Sequence, residues 1–214
     1  MSLILNGTDG SASNPAVQGG TGGATTGVYY PASNVVAIAI NGAEAMRLNS
    51  NSNLVLAGGT TTASGVGVTF PATQSASSDA NCLDDYEKGT FTPVFATDGT
   101  QPTYTATNAF GYYTKIGRMV YYNFYIYSAG GATGGSGNVT VTGFPFSATT
   151  PSSYIRGLCG YLSWGGLVGK WTPSTGSGIG WQIVPGSATA NLYANSTTYA
   201  NGAFEIQGTG FYFV

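Results

Sequence analysis

Glycine and proline punctuate this chain so often that a long helix has almost nowhere to form. There are 34 Gly and 9 Pro among 214 residues, and the glycine share is about twice the usual ~7%. One stretch alone has helix signals. Ser78-Asp-Ala-Asn-Cys-Leu-Asp-Asp-Tyr-Glu-Lys88 starts on Ser and Asp and ends on Lys before Gly89, which predicts two helical turns at most. Elsewhere the pattern is short apolar or alternating runs between turn residues, the signature of strands.

Such a glycine content could also mean disorder, but disordered chains are poor in aromatics and rich in charge. Here 15 Tyr, 10 Phe and 3 Trp stand beside a charged fraction of only 7%, against a usual ~25%. The chain is therefore expected to be ordered and all-β. Six basic against eight acidic residues give a net charge of −2. Arg47, Lys88, Lys115, Arg118, Arg156 and Lys170 are scattered, whereas phosphate binding needs clustered cations, so no nucleic-acid partner is expected. A surface so low in charge suggests concealment against neighbouring subunits. Neither a basic segment followed by an apolar one nor an apolar run near ~20 residues occurs, so no export signal and no membrane partner are expected. Cys82 and Cys159, 77 positions apart, form no metal or redox motif, and buried free thiols are their ordinary reading.

Two textures divide the chain. Residues 1–77 are lean and turn-rich, expected to form an N-terminal attachment and shaft region. Met1–Asn6 is strand-like; Gly7–Gly10 and Gln18–Gly23 mark turns or coil. Asn34–Ile40 is a β run closed by Asn41-Gly42, the strongest short hairpin signal. Ala43–Leu48 returns with Ala43, Ala45 and Arg47 on one side and Glu44, Met46 and Leu48 on the other, and Leu54-Val-Leu56 follows. These strands are too small to make a core alone, since a few short strands need something to cover their apolar face. Sharing one interior among several chains around an axis is the expected remedy, with Met46, Leu54 and Leu56 at the subunit interface.

After a junction at 78–92, residues 93–214 read as a head domain. Strand-like runs recur at 91–95, 109–114, 118–127, 138–142, 153–159, 180–184, 203–207 and 210–214. In the longest, Val120, Tyr122, Phe124 and Ile126 form the expected core face. The opposite set, Tyr121, Asn123, Tyr125 and Tyr127, is too apolar to be mostly bathed in water. A subunit interface through Tyr121, Tyr125 and Tyr127 is the preferred explanation, with burial under loops as the alternative. Short strands between Gly-rich turns point to an antiparallel sandwich or jelly-roll-like head.

Asn41-Gly-Ala-Glu-Ala-Met-Arg-Leu48 followed by Asn53-Leu-Val-Leu56 and Gly58-Gly-Thr-Thr61 resembles the strand–turn–strand shaft motif of phage tail fibres. Cys82–Pro93, then Gly111–Val120 and Val139–Phe146, look like the junction and opening strands of fibre and spike heads. Together these cover about half the chain. The resemblance implies a homotrimeric virion protein of a tailed bacteriophage: a slender trimeric β shaft or extended N-terminal region followed by a β-sandwich head. Residues near the N-terminus would bind other virion proteins, and the head would meet a host surface polysaccharide. The chain departs from longer relatives in lacking a repetitive stalk and a self-cleaving C-terminal chaperone domain. A capsid decoration or cement role stays open beside the tail fibre or spike role.

Catalysis is not expected, and neither is a cofactor. The chain has no histidine, which removes Ser-His-Asp and Cys-His chemistry and the commonest zinc ligand. The glycine clusters at 19–23 and 130–137 lack the Lys-Ser/Thr ending of a phosphate loop. A polysaccharide-degrading spike would need paired carboxylates. Asp85 and Glu87, beside Asp84, could face the same way on a strand at about 6.7 Å, but a solvated or subunit-bridging junction is the simpler reading. Sugar binding without cleavage is the better candidate: Trp164, Trp171 and Trp181, with Tyr161, Tyr154 and Lys170, offer flat rings among hydroxyls and amides. The same rings also suit core or inter-subunit packing.

Overall fold

The computed structural model describes residues 3–19, 25–62, 65–74, 77–79, 81–97, 99–148, 156–164, 167–169, 181–184, 191–198 and 202–214; for 3–8, 138 and the segments from 156 to 198 it describes backbone alone. The described residues are all-β, with no helix. The chain divides into two units between Asp85 and Tyr86.

The first unit is a seven-stranded sheet laid down in chain order: β1 (Leu3–Ser11), β2 (Asn14–Gly19), β3 (Gly27–Tyr29), β4 (Val36–Ile40), β5 (Ala43–Leu48), β6 (Leu54–Leu56) and β7 (Val68–Thr69). All neighbours are antiparallel except β6 and β7. Gly7–Gly10, expected as a turn, lies inside β1, whose register shifts between Leu5 and Gly10 to absorb it. The Asn41-Gly42 turn is as expected. Both residues have positive φ, 52° and 79°, the geometry that matches the right-handed twist of the flanking strands.

In β5 a bulge overrides simple alternation. Ile38 pairs with Met46 but Ala39 pairs with Glu44, which leaves Ala45 as the extra residue. Glu44 is thereby moved from the Met46 side, where alternation places it, to the Arg47 side.

The second unit contains β8 (Tyr86–Phe91), β9 (Val94–Thr97), β10 (Thr103–Tyr104), β11 (Asn108–Ile116), β12 (Met119–Thr133), β13 (Asn138–Thr142), β14 (Arg156–Trp164), β15 (Leu167–Gly169), β16 (Trp181–Val184), β17 (Asn191–Thr198) and β18 (Gly202–Phe213). Pairing runs β8-β11-β12-β18-β14-β16-β17-β13-β9, with β10 on β12 and β15 on β14. The run expected at 91–95 is broken at Thr92-Pro93, so Phe91 ends β8 and Val94 begins β9 on the far side of the topology; a proline cannot donate to a ladder and suits such a break. The two runs expected at 203–214 are one continuous strand, β18.

The expected helix at 78–88 is absent. Local side-chain bonds hold its first part: Ser77 Oγ accepts from Asp79 N at 3.1 Å, Asp79 Oδ1 from Asn81 N at 2.9 Å, and Asp84 Oδ2 from Ser77 N at 2.8 Å. Such Ser and Asp contacts compete with helical hydrogen bonding. From Tyr86 onward the chain pairs with β11 instead, Tyr86 opposite Ile116 and Lys88 opposite Thr114.

The core of this unit lies between the β12–β18 pair and the β9–β13 pair. Val120, Tyr122, Phe124 and Ile126 of β12 are buried as alternation predicts, with Phe204, Ile206 and Tyr212 of β18 beside them. Phe95, Val139, Val141 and Phe144 complete the cluster, Phe95 lying 4.4 Å from Phe204 between ring centroids. Glycine and aromatic residues here answer to one another. A Cβ on Gly111 would meet the ring of its cross-strand partner Phe91 at 2.5 Å, one on Gly208 the ring of Phe124 at 2.4 Å, and one on Gly89 the ring of Tyr113 at 2.8 Å. Each glycine makes room for a ring lying across its strand.

Candidate functional site

In the first unit the sizes of the side chains are inverted. The covered face carries Tyr29, Ala37 and Ala39, with Ala12 against them, and Val55, while most of the large aliphatic groups of β4–β6 stand on the other face. Register assembles that outer face into rows: Val36 opposite Leu48, Leu48 opposite Leu54, Leu54 opposite Val68; and Ile38 opposite Met46, Met46 opposite Leu56. Val36, Leu48 and Val68 are 42–51% exposed and Met46 is 37% exposed. Val36, Ile38, Met46, Leu48 and Leu54, with Arg47, line a mainly apolar groove of about 290 Å³. Met46, Leu54 and Leu56, expected at an interface, thus share one open apolar face.

On the covered side, Tyr29 Oη donates to Glu44 Oε2, and Arg47 Nε and Nη2 donate to the two carboxylate oxygens at 2.5 Å each. Bonding to Arg47 holds the Glu44 carboxyl below its usual range, against desolvation. Burial, reinforced by the Glu44 carboxylate, pushes the Tyr29 hydroxyl up to about 12. The β5 bulge makes this arrangement possible, because regular alternation would aim Glu44 away from Arg47.

In the second unit, β8, β11, β12 and β18 present a second open face, largely aromatic. The tight turn at Gly117-Arg118, with Gly117 at φ 54°, pins the β11–β12 register so that Ile116 meets Met119, Thr114 meets Tyr121, Tyr112 meets Asn123 and Phe110 meets Tyr125. On β18, Phe213, Phe211, Thr209 and Gln207 continue these rows. Tyr121, Tyr125 and Tyr127 share this face. Among the described residues, Tyr121 is 50% exposed and Tyr125 and Tyr127 are half-buried. Its two ends differ. Tyr86, Ile116, Met119, Tyr121, Phe211 and Phe213 form an apolar end. Toward the other end Asn123, Gln207 and Thr209 stand with Phe110 and Tyr125, and a groove of about 400 Å³ opens between them. Phe110 and Tyr125 lie 5.4 Å apart with ring planes 31° from parallel.

Trp164 and Tyr161 fall on β14 and Trp181 on β16, strands for which backbone alone is described, and Trp171, Tyr154 and Lys170 lie outside the described residues. The register places Tyr161 opposite Gln207. The carboxylates Asp84, Asp85 and Glu87 line neither groove. Asp84 is engaged with Ser77 N, Asp85 is buried, and Glu87 sits on β8 opposite Lys115. Lys115 is itself buried, its Nζ 5.6 Å from the Phe146 ring centroid. Cys82 is free and exposed rather than buried, because the segment around it forms turns instead of packing as a helix. Among the described residues, no group of three or more His, Cys, Asp or Glu side chains is placed to hold a metal.

The Phe110–Gln207 groove was missing from the sequence reading, although its signal is there: counting outward from Gly117-Arg118 puts Phe110 beside Tyr125. Compared with known protein families, curated proteins and solved structures, the chain matches none.

Proposed function

We propose that this chain is a non-enzymatic structural protein of a tailed-phage virion, a homotrimeric tail fibre or short spike that recognises a host-surface glycan. In this reading the first unit is the shaft and virion attachment region, and the second is a jelly-roll-like head. The observation that carries the association is the open apolar face of the first-unit sheet: Ala37 and Ala39 are buried with Tyr29 and Val55, while Val36, Met46, Leu48 and Val68 stand exposed. Monomers rarely leave contiguous apolar faces open, and large exposed ones mark interaction sites. Three copies sharing the Met46, Leu48, Leu54 and Leu56 faces would supply the interior that one copy lacks. The apolar end of the second-unit face, with Tyr121, Met119 and Phe211, would offer a contact of the same kind within its own unit. A low overall charge suits a chain whose surface is largely covered by its own copies.

Sedimentation and light scattering test the association. The expected mass is three times the 21.8 kDa of one chain, falling to a single chain in Leu48→Lys/Leu54→Lys with the far-ultraviolet spectrum unchanged. A wild-type monomer at micromolar concentration refutes it. Counting copies in purified virions against the major shell protein tests the location. A few trimers per particle fit a fibre or spike, and a number near that of the shell protein would make the chain a decoration protein.

A further inference from the structure

Taking the glycan-recognition reading as its starting point, we propose that the groove bounded by Phe110, Tyr125, Asn123, Gln207 and Thr209 is the binding site, and that its ligand is a neutral sugar chain. Its lining residues lie on β11, β12 and β18.

Two adjacent cross-strand rows build it. Phe110, Tyr125 and Gln207 form one, and Asn123 and Thr209 belong to the next, about 7 Å further along the strands. The lining therefore pairs exposed aromatic rings with two amides and a hydroxyl. Carbon-bound hydrogens on one face of a pyranose are suited to the rings, and its hydroxyls are suited to amides and hydroxyls. The polar groups are braced from within the sheet. Gln207 Nε2 donates to Glu205 Oε1 at 3.1 Å, and Thr209 Oγ1 lies 3.0 Å from both the Tyr122 carbonyl and the Tyr121 hydroxyl. Everything lies on paired strands, so little is left to order on binding.

The other ligand classes fit less well. A wholly apolar ligand, or an apolar face of another subunit, would strip water from the Asn123 amide without replacing its hydrogen bonds, at about 1–3 kcal/mol. That cost falls at this end of the face and not at the Met119–Phe213 end, so Tyr125, expected at a subunit interface, is assigned to the groove instead. An anionic ligand would find no Lys or Arg in the lining and would meet the Glu205 carboxylate next to Gln207.

The test is an array of neutral and anionic bacterial surface polysaccharides probed with the full-length chain, then calorimetry with a hexasaccharide fragment of the tightest binder. The expected binder is neutral. Gln207→Ala and Asn123→Ala each weaken it roughly tenfold, as loss of one hydrogen bond implies; Phe110→Ala weakens it at least as much, and Phe110→Trp retains binding. These side chains lie at the open groove, and an unchanged unfolding midpoint shows that the fold is kept. Absence of saturable binding across the array overturns the proposal. So does a preference for anionic polymers, or binding that Phe110→Ala and Gln207→Ala leave intact. A trimer that ignores every sugar overturns the groove alone, whereas a monomer that binds sugar overturns the association and leaves the groove standing.

Discussion

Phe144 is the side chain on which the second unit's aromatic core converges, and its removal is the sharpest test of that packing. It follows β13, is 1% exposed, and lies with its ring centroid 4.9 Å from Tyr122, 5.2 Å from Phe91, 6.0 Å from Phe124 and 6.1 Å from Tyr212. Three of these contacts are edge-to-face, an arrangement worth about 0.5–1.5 kcal/mol per pair beyond the area buried. The Phe144→Ala variant loses both that and the transfer energy of the ring, and it opens a cavity that neighbouring rings cannot collapse into. The expected cost is about 3–5 kcal/mol. Phe144→Leu, which refills part of the volume without the ring edges, should cost about 1–2 kcal/mol. All three tryptophans, at 164, 171 and 181, belong to the second unit, so tryptophan fluorescence in urea follows this unit alone. With a slope of about 1–3 kcal/mol/M, Phe144→Ala should lower the midpoint by roughly 1–5 M. A loss under about 1 kcal/mol, or equal losses for Ala and Leu, would refute the convergent packing described here.

Two further outcomes concern the first unit. Gly42→Ala should destabilise it by about 1–2 kcal/mol in calorimetry, because φ is +79° there and an added Cβ meets only Thr25 at 3.8 Å, so the cost is conformational; Asn41→Gly should be nearly neutral. The Tyr29–Glu44–Arg47 group should give stability two pH edges. Glu44 has a lowered folded pKa, so its contribution is full above the ordinary carboxylate range and is lost as pH falls through the lowered value; Tyr29, raised from 10.0 to about 12, contributes fully below pH 10 and loses its contribution as pH rises toward about 12. Melting temperatures of Glu44→Gln and Tyr29→Phe against pH should flatten the acid and alkaline edges respectively, and unchanged edges would contradict the assignment.

The all-β character was legible because it rests on local physics. Glycine spacing forbids helices, and period-two runs such as 118–127 name their own buried face. The Asn41-Gly42 hairpin was legible for the same reason. What escaped was decided by partners remote in sequence. Helix-like Tyr86–Lys88 becomes strand because Ile116–Thr114 offers it a ladder. Glu44 changes face because β4 and β5 mismatch by one residue, which no pattern within 43–48 reveals. β17 (Asn191–Thr198) was missed because Asn and Ser interrupt its alternation, and its place is fixed by β16 and β13 on either side. Of the grooved face, the tyrosines of β12 were singled out from alternation alone. Gln207 and Thr209 lie more than 80 residues further along and enter only through the β12–β18 register.

The two excesses in composition, glycine and aromatics, turn out to be one structural choice. A ring laid over a cross-strand glycine, as in Phe91 over Gly111 and Phe124 over Gly208, buries large apolar area without requiring a bulky partner beneath it. The inner face is thereby filled by few residues, and the remaining rings of the same strands, Phe110, Tyr112, Tyr121 and Phe211, are left on the outer face. In the first unit the same outcome is reached with alanine: Ala37 and Ala39 fill the covered side and put Val36, Ile38 and Ile40 of the same strand outside. The β4 strand of the first sheet turns small side chains inward and large ones outward, whereas the second sheet buries large rings and leaves further rings outside as well. Neutral outer faces of this kind gain from contact whatever the sign of the partner's charge, and they specify that partner through shape and register rather than through ion pairs. A second copy of the same face meets that condition at the wholly apolar ends, and a sugar meets it where the amides are.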